Sequence, residues 1–429
     1  MTRSIASALE ELKLSIREAL GPDMIQTACR AVGYGWRERT LGPIATVWMF
    51  ALQIINRTAC TEAIRLLPNV EVTDGGYCQA RKRIPLRVFR HLAEMVVGRL
   101  LRSMDQACER WHGHRVFLVD GSSCSMPDTA NLQRAFGQPS GQAKGCGFPV
   151  TSVVGLFHGP SGLLLELLAS PLYTGELRVL RQLFRWLRPG DVLVGDRAYA
   201  SYSILVLLGK RGVNAVMRQH QSRRQDFRRG RRIDKDDRII QLPKPRNRPP
   251  WMSLAEFTAL PKMLTVRMLR YQVAVNGCRT RSVTLVTTLL DPEAYPVADI
   301  AALYGDRWEV ETCYRHLKTT LQMGVLRCKS EDMVRKELLM HSVVYNLVRA
   351  VMVQAGLQQG IPPDRISLVD VLRYLARSRW HLDALPTFVV NRKRRWRSQP
   401  RAVKRRPKPF PLLTSPRSKM CNAMASWGL

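Results

Sequence analysis

The chain has few acidic residues for its size. Its 429 residues include 34 Asp and Glu against 67 Lys and Arg, and the formal net charge is +33. A globular protein this basic usually binds a polyanion, so the composition predicts nucleic acid as the partner. The alternative is a surface that is merely basic, as in a structural protein of the ribosomal type. Hydrophobic residues make up 45% of the chain, which excludes a disordered basic tail protein and suggests two or three folded domains.

Paired cysteines, a signal peptide and a membrane span are also missing from the sequence. None of the ten cysteines forms a C-x-x-C pair, so zinc-ligand spacing is absent and reduced thiols are expected, as in the cytosol. The stretch MTRSIASALEELKLSIREAL carries acids in its first turns and lacks the long apolar core of a signal peptide. No run approaches the roughly 18 apolar residues of a membrane span, so we expect no membrane partner.

Residues 1–112 have the apolar spacing of helices, as in SALEELKLSIREAL and ATVWMFALQIINRTACTEAIRLL. The stretch VTDGGYCQARKRIPLRVFRHLAEMVVGRLL predicts a helix after Thr73-Asp74, a break at Pro85 and then another helix. The cations of this unit are Arg81, Lys82, Arg83, Arg87 and Arg90. We expect 1–112 to be a helical, DNA-binding domain; the alternative is a helical scaffold with solvated basic faces.

Residues 113–217 change to short β-branched runs separated by turns. RVFLVDGSS predicts a strand that ends in an acid, and FPVTSVVGLFHG and GLLLELLAS predict a hairpin. A helix (GELRVLRQLFRWL), a strand (DVLVGDRAY), a helix (SYSILVLLGKRG) and a strand (VNAVMR) follow. Three strands followed by α, β, α, β predict an α/β fold, with helices on the faces of a mixed sheet.

Residues 218–292 form a basic, β-rich insertion that interrupts this alternation of strands and helices. Its segment 218–248 holds twelve Lys and Arg against four Asp, and Asn276-Gly277 is a hairpin signal further on. Strongly helical stretches return in 293–390. In the last segment, 391–429, residues 392–408 hold ten basic residues and no acid, which predicts an extended tail.

Two carboxylates follow predicted strands. Asp120 comes after VFLV and Asp196 after VLVG. Acids at the carboxyl ends of neighbouring strands lie where ligands bind in open sheets, and they repel unless a cation lies between them. Mg²⁺ is held in this way. The alternative is a pair of turn acids, a common use of Asp; nearby Asp128 and Asp191 compete with them, although Asp191 begins its strand.

The helical stretch YGDRWEVETCYRHLK supplies a third acid. On an ideal helix Tyr304, Arg307, Glu311 and Lys318 fall within an arc of roughly 60°. On a buried face Glu311 can join a metal site, while Arg307 and Lys318 grip phosphates and Tyr304 donates to a phosphate or packs on a sugar or base. The alternative is a solvated face, whose i,i+4 pair stabilises the helix by only a few tenths of a kcal/mol.

Together these residues resemble a known family. Tyr304-x₂-Arg307-x₃-Glu311-x₆-Lys318 is similar to the Y-R-E-K signature of bacterial DDE transposases of insertion sequence family 4. DGSSCSMPDTANLQRAFG looks like that family's first-Asp segment, VGDRAYAS like its second-Asp segment, and HSVVYNLVRAVM like the helix after the Glu. The resemblance covers about 115–350.

The resemblance implies a ribonuclease-H-like catalytic core, with a mixed five-stranded sheet and flanking helices, interrupted by the β insertion and preceded by the helical domain. Asp120, Asp196 and Glu311 would be the catalytic triad and would bind Mg²⁺ or Mn²⁺, as two ions that promote an in-line displacement. The double-stranded DNA substrates would be terminal inverted repeats and target DNA, held by a homodimeric synaptic complex. Relatives pass through a hairpin at the transposon end and act in the bacterial cytoplasm, at the nucleoid.

The basic segments predict additional DNA contacts. Residues 218–248 carry a net +8 and 392–408 a net +10, together 18 of the 33 excess charges. In the first segment we expect Arg223, Arg224, Arg228 and Arg229 to bind DNA without regard to sequence. Two other functions stay open: a ribonuclease-H-like nuclease or junction resolvase that does not rejoin DNA, and a non-enzymatic nucleic-acid-binding protein.

Overall fold

The computed structural model describes residues 20–37, 39–64, 72–220, 226–272, 282–377, 385–390 and 415–426. The strands are β1 (Val116–Ser125), β2 (Val150–His158), β3 (Leu164–Pro171), β4 (Val192–Gly195), β5 (Asn214–Arg218), β6 (Arg231–Asp234), β7 (Asp237–Pro243), β8 (Met263–Gln272) and β9 (Ser282–Thr287). The helices are α1 (Pro22–Ala31), α2 (Pro43–Asn56), α3 (Cys60–Ala63), α4 (Asp74–Arg83), α5 (Leu86–Ala107), α6 (Ala130–Phe136), α7 (Glu176–Leu183), α8 (Tyr202–Gly209), α9 (Leu254–Thr258), α10 (Val297–Asp306), α11 (Trp308–Arg315), α12 (Glu331–Gln359), α13 (Leu368–Arg377) and α14 (Arg417–Ser426).

The described strands form a nine-stranded sheet in the order β3-β2-β1-β4-β5-β9-β8-β7-β6. β4 runs parallel to both β1 and β5, and the other neighbours are antiparallel. The predicted order of three strands and then α, β, α, β is present, except that the short helix α6, which was not predicted, lies between β1 and β2. The sheet is wider than the five strands expected, because β9 pairs with β5 and the basic insertion continues the sheet instead of interrupting it.

The insertion is built from antiparallel pairs. β8 and β9 pair from Arg267↔Thr287 to Gln272↔Ser282, as the alternating runs around the hairpin signal predict. The turn itself, with Asn276-Gly277, lies outside the described residues. Since β6 is the last strand of the order, the most basic part of the insertion lies at the edge of the sheet farthest from β3.

The N-terminal helices begin and end close to the predicted signals. The Thr73 side chain accepts a hydrogen bond from the backbone of Gly76 and caps α4, and Pro85 separates α4 from α5. The long helix predicted in 45–67 is broken, because Arg57 ends α2 in the left-handed conformation with φ 58°. The helix predicted before residue 20 lies outside the described residues.

Helix α12 is the central helix of the core. By length and composition it could cross a membrane, but 94% of its most apolar window is buried inside the protein. It packs against α5, α2 and β3. The side-chain amide of Asn346 bonds to both the N–H and the C=O of Leu164, and the Tyr345 hydroxyl donates to the Gly162 carbonyl. These bonds satisfy polar groups inside an otherwise apolar core.

The last described segment, residues 415–426, contacts the loop after β1. Arg417 pairs with Asp128 at 3.0 Å and lies over the Phe148 ring at 3.9 Å. Residues 392–408, predicted to be an extended basic tail, lie outside the described residues. The segment that follows them is therefore a docked helix, α14.

Candidate active site

Two acids meet at neighbouring parallel strands. Val119 of β1 is level with Gly195 of β4, so the next residue of each chain segment is an aspartate, Asp120 and Asp196. β1 does not end at its acid, because its pairing with β2 continues to Ser125. Asp196 directly follows β4, and its carboxylate accepts a hydrogen bond of 2.6 Å from the backbone N–H of Arg197. The sequence placed both acids on the correct strands.

The two competing aspartates have structural roles elsewhere. Asp191 is 3% exposed and receives two hydrogen bonds from the Arg115 guanidinium, at 2.8 and 2.7 Å. Asp128 pairs with Arg417 and accepts a hydrogen bond from Gln133. Both acids are committed to cations or amides, so Asp120 and Asp196 are left as the pair of acids on the adjacent parallel strands.

The helix that was expected to be uniform consists of three segments. α10 ends at Asp306, α11 begins at Trp308, and a π-helical turn spans His316–Thr320. Arg307 lies at the first junction and Lys318 lies inside the π turn. π turns shift the faces of a helix and often occur at functional sites.

Two of the four signature residues, Arg307 and Lys318, contact β1, and a third, Glu311, contacts Arg307. The Arg307 guanidinium lies 3.8 Å from an Asp120 oxygen and 3.7 Å from a Glu311 oxygen. The Lys318 ammonium donates a hydrogen bond of 3.1 Å to the Ser122 hydroxyl, two residues beyond Asp120 on the same face of β1. Arg307 is therefore the cation that links Glu311 to the first aspartate.

Arg307 is buried but poorly satisfied. It is 6% exposed, its two ion pairs are longer than a hydrogen bond, and its Nε has no hydrogen-bond partner among the described residues. The guanidinium lies 5.6 Å from the centre of the Tyr304 ring and 5.2 Å from that of Trp308. Tyr304 is buried, whereas Trp308 is 58% exposed beside the site. No pattern in the sequence distinguishes Trp308 from other helical aromatic residues.

Tyr314 is a site residue whose role the sequence left undecided. Its hydroxyl donates a hydrogen bond of 2.8 Å to the carbonyl oxygen of Asp120, and its ring meets Phe157 edge-on at 5.5 Å. The side chain is buried. Tyr314 therefore fixes the backbone of the first aspartate against α11.

The carboxylate of Asp120 lies in an environment that disfavours its charge. Burial raises the pKa of Asp120 to about 6, and the charges of Asp196 and Glu176 add to the rise; the Gly121 N–H and Arg307 oppose it. A cation among these carboxylates would relieve the repulsion. Hard divalent ions prefer such oxygen ligands, so the donor chemistry fits Mg²⁺ or Mn²⁺. Within the described ranges no three His, Cys, Asp or Glu side chains are grouped closely enough to hold an ion, and Arg307 spans the gap to Glu311.

The arginines of the insertion are not brought to this site. Arg228 and Arg229 are largely exposed, and within the described ranges they form ion pairs with Asp226 alone, at 3.3 and 3.4 Å. They precede β6, which is five strand positions from β4 in the order of the sheet. Arg223 and Arg224 lie outside the described residues.

The chain is similar in sequence to known transposases. Residues 111–347, just over half of the chain, match the family described as Transposase DDE domain. The transposase InsG for insertion sequence element IS4 from Escherichia coli (strain K12) is 26% identical over 329 residues, 70% of this chain and 70% of that protein. The cryo-EM structure of the piggyBac transposase synaptic complex with hairpin DNA has a TM-score of 0.49 and 9% identity, and the match covers 85% of this chain and 78% of that chain.

The matched range includes Asp120, Asp196 and the helical segments with the Y-R-E-K signature. This confirms the family resemblance that the sequence suggested. The chain belongs to the transposase DDE family, and it is a DDE transposase of the insertion sequence family 4 type, an enzyme that cleaves DNA and transfers its strands.

Proposed function

We propose that Asp120, Asp196 and Glu311 are the catalytic carboxylates, and that they bind two divalent cations, Mg²⁺ or Mn²⁺, in a ribonuclease-H-like core. The observation that carries this proposal is the register of β1 and β4, which brings two acids level on adjacent parallel strands. The link from Arg307 to both Asp120 and Glu311 supports Glu311 as the third acid. When bound, the cations supply charge neutralisation at the scissile phosphate and activation of the attacking oxygen.

The protein's own residues hold the DNA strand. Arg307 is fixed between two carboxylates, and a buried guanidinium with spare donors is suited to a phosphate oxygen. Lys318 is positioned by Ser122, so it presents its charge beside Asp120 as a second phosphate contact. Tyr304 packs under the guanidinium and restricts its position. The exposed ring of Trp308 offers a stacking surface for a base or sugar.

The substrates that we propose are double-stranded terminal inverted repeats and target DNA, joined in a synaptic homodimer and processed through a hairpin end, in the bacterial cytoplasm at the nucleoid. The assignment by segment is DNA binding for 1–112, catalysis for 113–217 and 293–390, and sequence-independent DNA contact for 218–292 and 391–429. Arg228 and Arg229 support the third role, because they are exposed cations with one shared acidic partner.

The test of the carboxylates uses isosteric substitutions. Asp120→Asn, Asp196→Asn and Glu311→Gln should each lower end cleavage in Mg²⁺ by at least about 10³-fold, because each removes one charged ligand. Binding of end DNA, measured by fluorescence anisotropy, should stay within about threefold. Asp128→Asn is the matched control and should cleave normally. A Glu311→Gln protein that cleaves ends at the wild-type rate in Mn²⁺ would falsify the assignment.

The test of strand transfer follows the DNA products. A labelled transposon end incubated with plasmid should yield joined end–target molecules, and a denaturing gel should resolve a hairpin intermediate before joining. Cleavage without any joined product would favour the nuclease that does not rejoin DNA. Joined product without a hairpin would support strand transfer and would contradict the proposed hairpin intermediate.

A further inference from the structure

Arg218, the last residue of β5, continues the row that the two aspartates begin on the neighbouring strands. Gly195 of β4 is level with Met217 of the parallel strand β5, so Arg218 is level with Asp196, as Asp120 is on the other side. A Cβ atom at Gly195 would lie 2.8 Å from the Met217 Sδ, so the Met217 side chain occupies the face towards which Gly195 points. Since side chains alternate between faces, Arg218 and Asp196 share the opposite face. The third residue of the row is therefore a cation.

The Arg218 guanidinium is not neutralised by the chain around it. The side chain is half-buried, and within the described ranges its guanidinium forms no ion pair or hydrogen bond. Asp196, level with it on the next strand, is engaged by the backbone N–H of Arg197 instead. A guanidinium that is partly removed from water normally has an acceptor. Arg218 therefore has donors available for an acceptor that the described residues do not supply.

Two further donors without partners lie over the same part of the sheet. Helix α10 packs on β5 and β8, and it carries Tyr304 in its last turn. The Tyr304 hydroxyl and the Arg307 Nε are both buried, and neither has a hydrogen-bond partner among the described residues. Burial raises the pKa of Tyr304 and Asp196 adds to the rise, whereas the charges of Arg307 and Arg218 oppose it. Tyr304 is thus within electrostatic range of both guanidinium groups.

These groups fit an anion and not a cation. Guanidinium groups have donors and no acceptor, and a phenol hydroxyl can donate to an anion. Phosphate oxygens accept several such charge-assisted hydrogen bonds at once. Because this transposase acts on DNA, the anion that its reaction brings to the sheet is a backbone phosphate.

We propose that Arg218 is a DNA-binding residue of the active site, where it forms, with the Tyr304 hydroxyl and the Arg307 Nε, a pocket for one backbone phosphate of the bound strand. The pocket lies on the side of Asp196 away from Asp120, so this phosphate is a neighbour of the scissile one. The proposal rests on the proposed function, because Asp120 and Asp196 must act at the scissile phosphate. Neither the Y-R-E-K signature nor the two aspartate segments contain Arg218.

The test combines a substitution in the full-length protein with a neutral phosphate in the DNA. Single-turnover cleavage in Mg²⁺ is measured on a labelled transposon end in which one phosphate at a time is replaced by an uncharged methylphosphonate. Arg218→Gln should slow cleavage of the unmodified end by about 10–100-fold. A methylphosphonate at one position beside the cleavage site should slow the wild type by a similar factor. It should slow Arg218→Gln by less than about twofold, because both changes remove the same contact.

The control is a second arginine close to β5. Arg211 is exposed and precedes the start of the strand, at the end opposite Arg218, so Arg211→Gln removes the same charge away from the aspartates. This variant should cleave as the wild type does and keep its sensitivity to the methylphosphonate. Arg218→Lys keeps the charge but not the planar fork, and it should restore part of the rate and part of the sensitivity at the same phosphate. Melting temperatures within about 3 °C of the wild type would show that all three variants are folded.

The outcomes separate the pocket from the catalytic site. If Arg218→Gln cleaves as fast as the wild type, or if its loss multiplies with that of the methylphosphonate at every position, contact between Arg218 and a phosphate is overturned. The proposed catalytic carboxylates still stand in that case, provided that Asp120→Asn and Asp196→Asn abolish cleavage. If those two variants cleave normally, the proposed catalytic site is wrong and the assignment of Arg218 falls with it.

Discussion

The hydroxyl of Tyr314 donates a hydrogen bond of 2.8 Å to the carbonyl oxygen of Asp120, across 194 positions of the sequence. This bond joins the helix of the third acid to the strand of the first. A side chain that holds the backbone of a proposed metal ligand can affect catalysis without contacting the substrate.

Replacing Tyr314 with Phe should remove this bond and leave the contact with Phe157 intact. The buried carbonyl then lacks its partner, so we expect a loss of about 1–3 kcal/mol in the free energy of unfolding, and about tenfold slower cleavage. Urea denaturation and single-turnover cleavage measure the two effects. Tyr202→Phe is the control, since its hydroxyl donates to the Pro261 carbonyl; it should lose stability without a matching loss of cleavage by the folded protein.

Replacing Asp120 with Asn should stabilise the metal-free protein at neutral pH. The folded-state pKa of Asp120 is raised from 3.8 to about 6, so the folded protein holds this proton more tightly than the unfolded chain does. Ionisation therefore costs stability as pH rises from about 4 to 6, by at most about 3 kcal/mol. Denaturation with chelator present should show Asp120→Asn more stable at pH 7.5, with the difference shrinking towards pH 4. An equal difference at both pH values would contradict the raised pKa.

Replacing Arg307 with Lys should separate DNA binding from cleavage. Lysine keeps the charge but cannot reach Asp120 and Glu311 together, as the guanidinium does at 3.8 and 3.7 Å. We expect about 10²-fold slower cleavage with end binding reduced less than tenfold. Arg315→Lys is the control, because Arg315 is exposed on the same helix and bonds only to Thr312 among the described residues. Equal effects of both substitutions would argue against a special role for Arg307.

Replacing Gly121 with Ala should displace the Glu176 carboxylate. The new Cβ would lie within 2.9 Å of the Glu176 carboxylate. The flexible Glu176 side chain can move away, but it then loses the hydrogen bond from the Tyr199 hydroxyl. We expect a cost of about 1 kcal/mol in the free energy of unfolding, and a smaller cost when Tyr199 is already Phe. Gly209→Ala has open space around it and should be neutral or slightly stabilising. A Gly121→Ala cost that is the same in both backgrounds would mean that the two residues are not coupled through Glu176.

Removing Arg228 and Arg229 together should reduce the salt dependence of DNA binding. Each lost phosphate contact lowers the slope of log K against log salt by about 0.9, so a fall of about 1–2 is expected. Cleavage of DNA already bound should be unchanged, because among the described residues these two arginines pair with Asp226 and not with the proposed catalytic acids. Arg185→Ala is the control, because Arg185 is already paired with Glu94 and Glu166. For this variant the slope of log K against log salt should match that of the wild type.

Local sequence patterns predicted much of the fold and the first part of the site. Alternating runs and turn signals are properties of neighbouring residues, so β1 to β5 and the positions of Asp120 and Asp196 could be read directly. The pairing of β9 with β5 could not, because nothing in either strand specifies its partner. Arg307 was selected for its place on the helix, but its burial depends on the sheet beneath it.

Other parts of the site depend on contacts that the sequence does not display. Tyr314 bonds to Asp120, 194 positions away, and Glu176 lies against Gly121, 55 positions away. No local sequence period therefore marks either residue. The π turn at His316–Thr320 also breaks the uniform helix from which the shared face was derived. Trp308 looks like any helical aromatic until its exposure beside Arg307 is known.

The burial of α12 has a consequence for synthesis in the cell. α12 packs against α5 and α2, near the other end of the chain, as well as on the sheet. At about 5–20 residues per second, the ribosome needs roughly 10–50 s to proceed from the end of α5 at residue 107 to the end of α12 at residue 359. During that interval the apolar faces of α5 and α2 are exposed, because α12, which packs against them, has not been synthesised. We therefore expect chaperone demand and the yield of active enzyme to depend on how quickly residues 331–359 are translated.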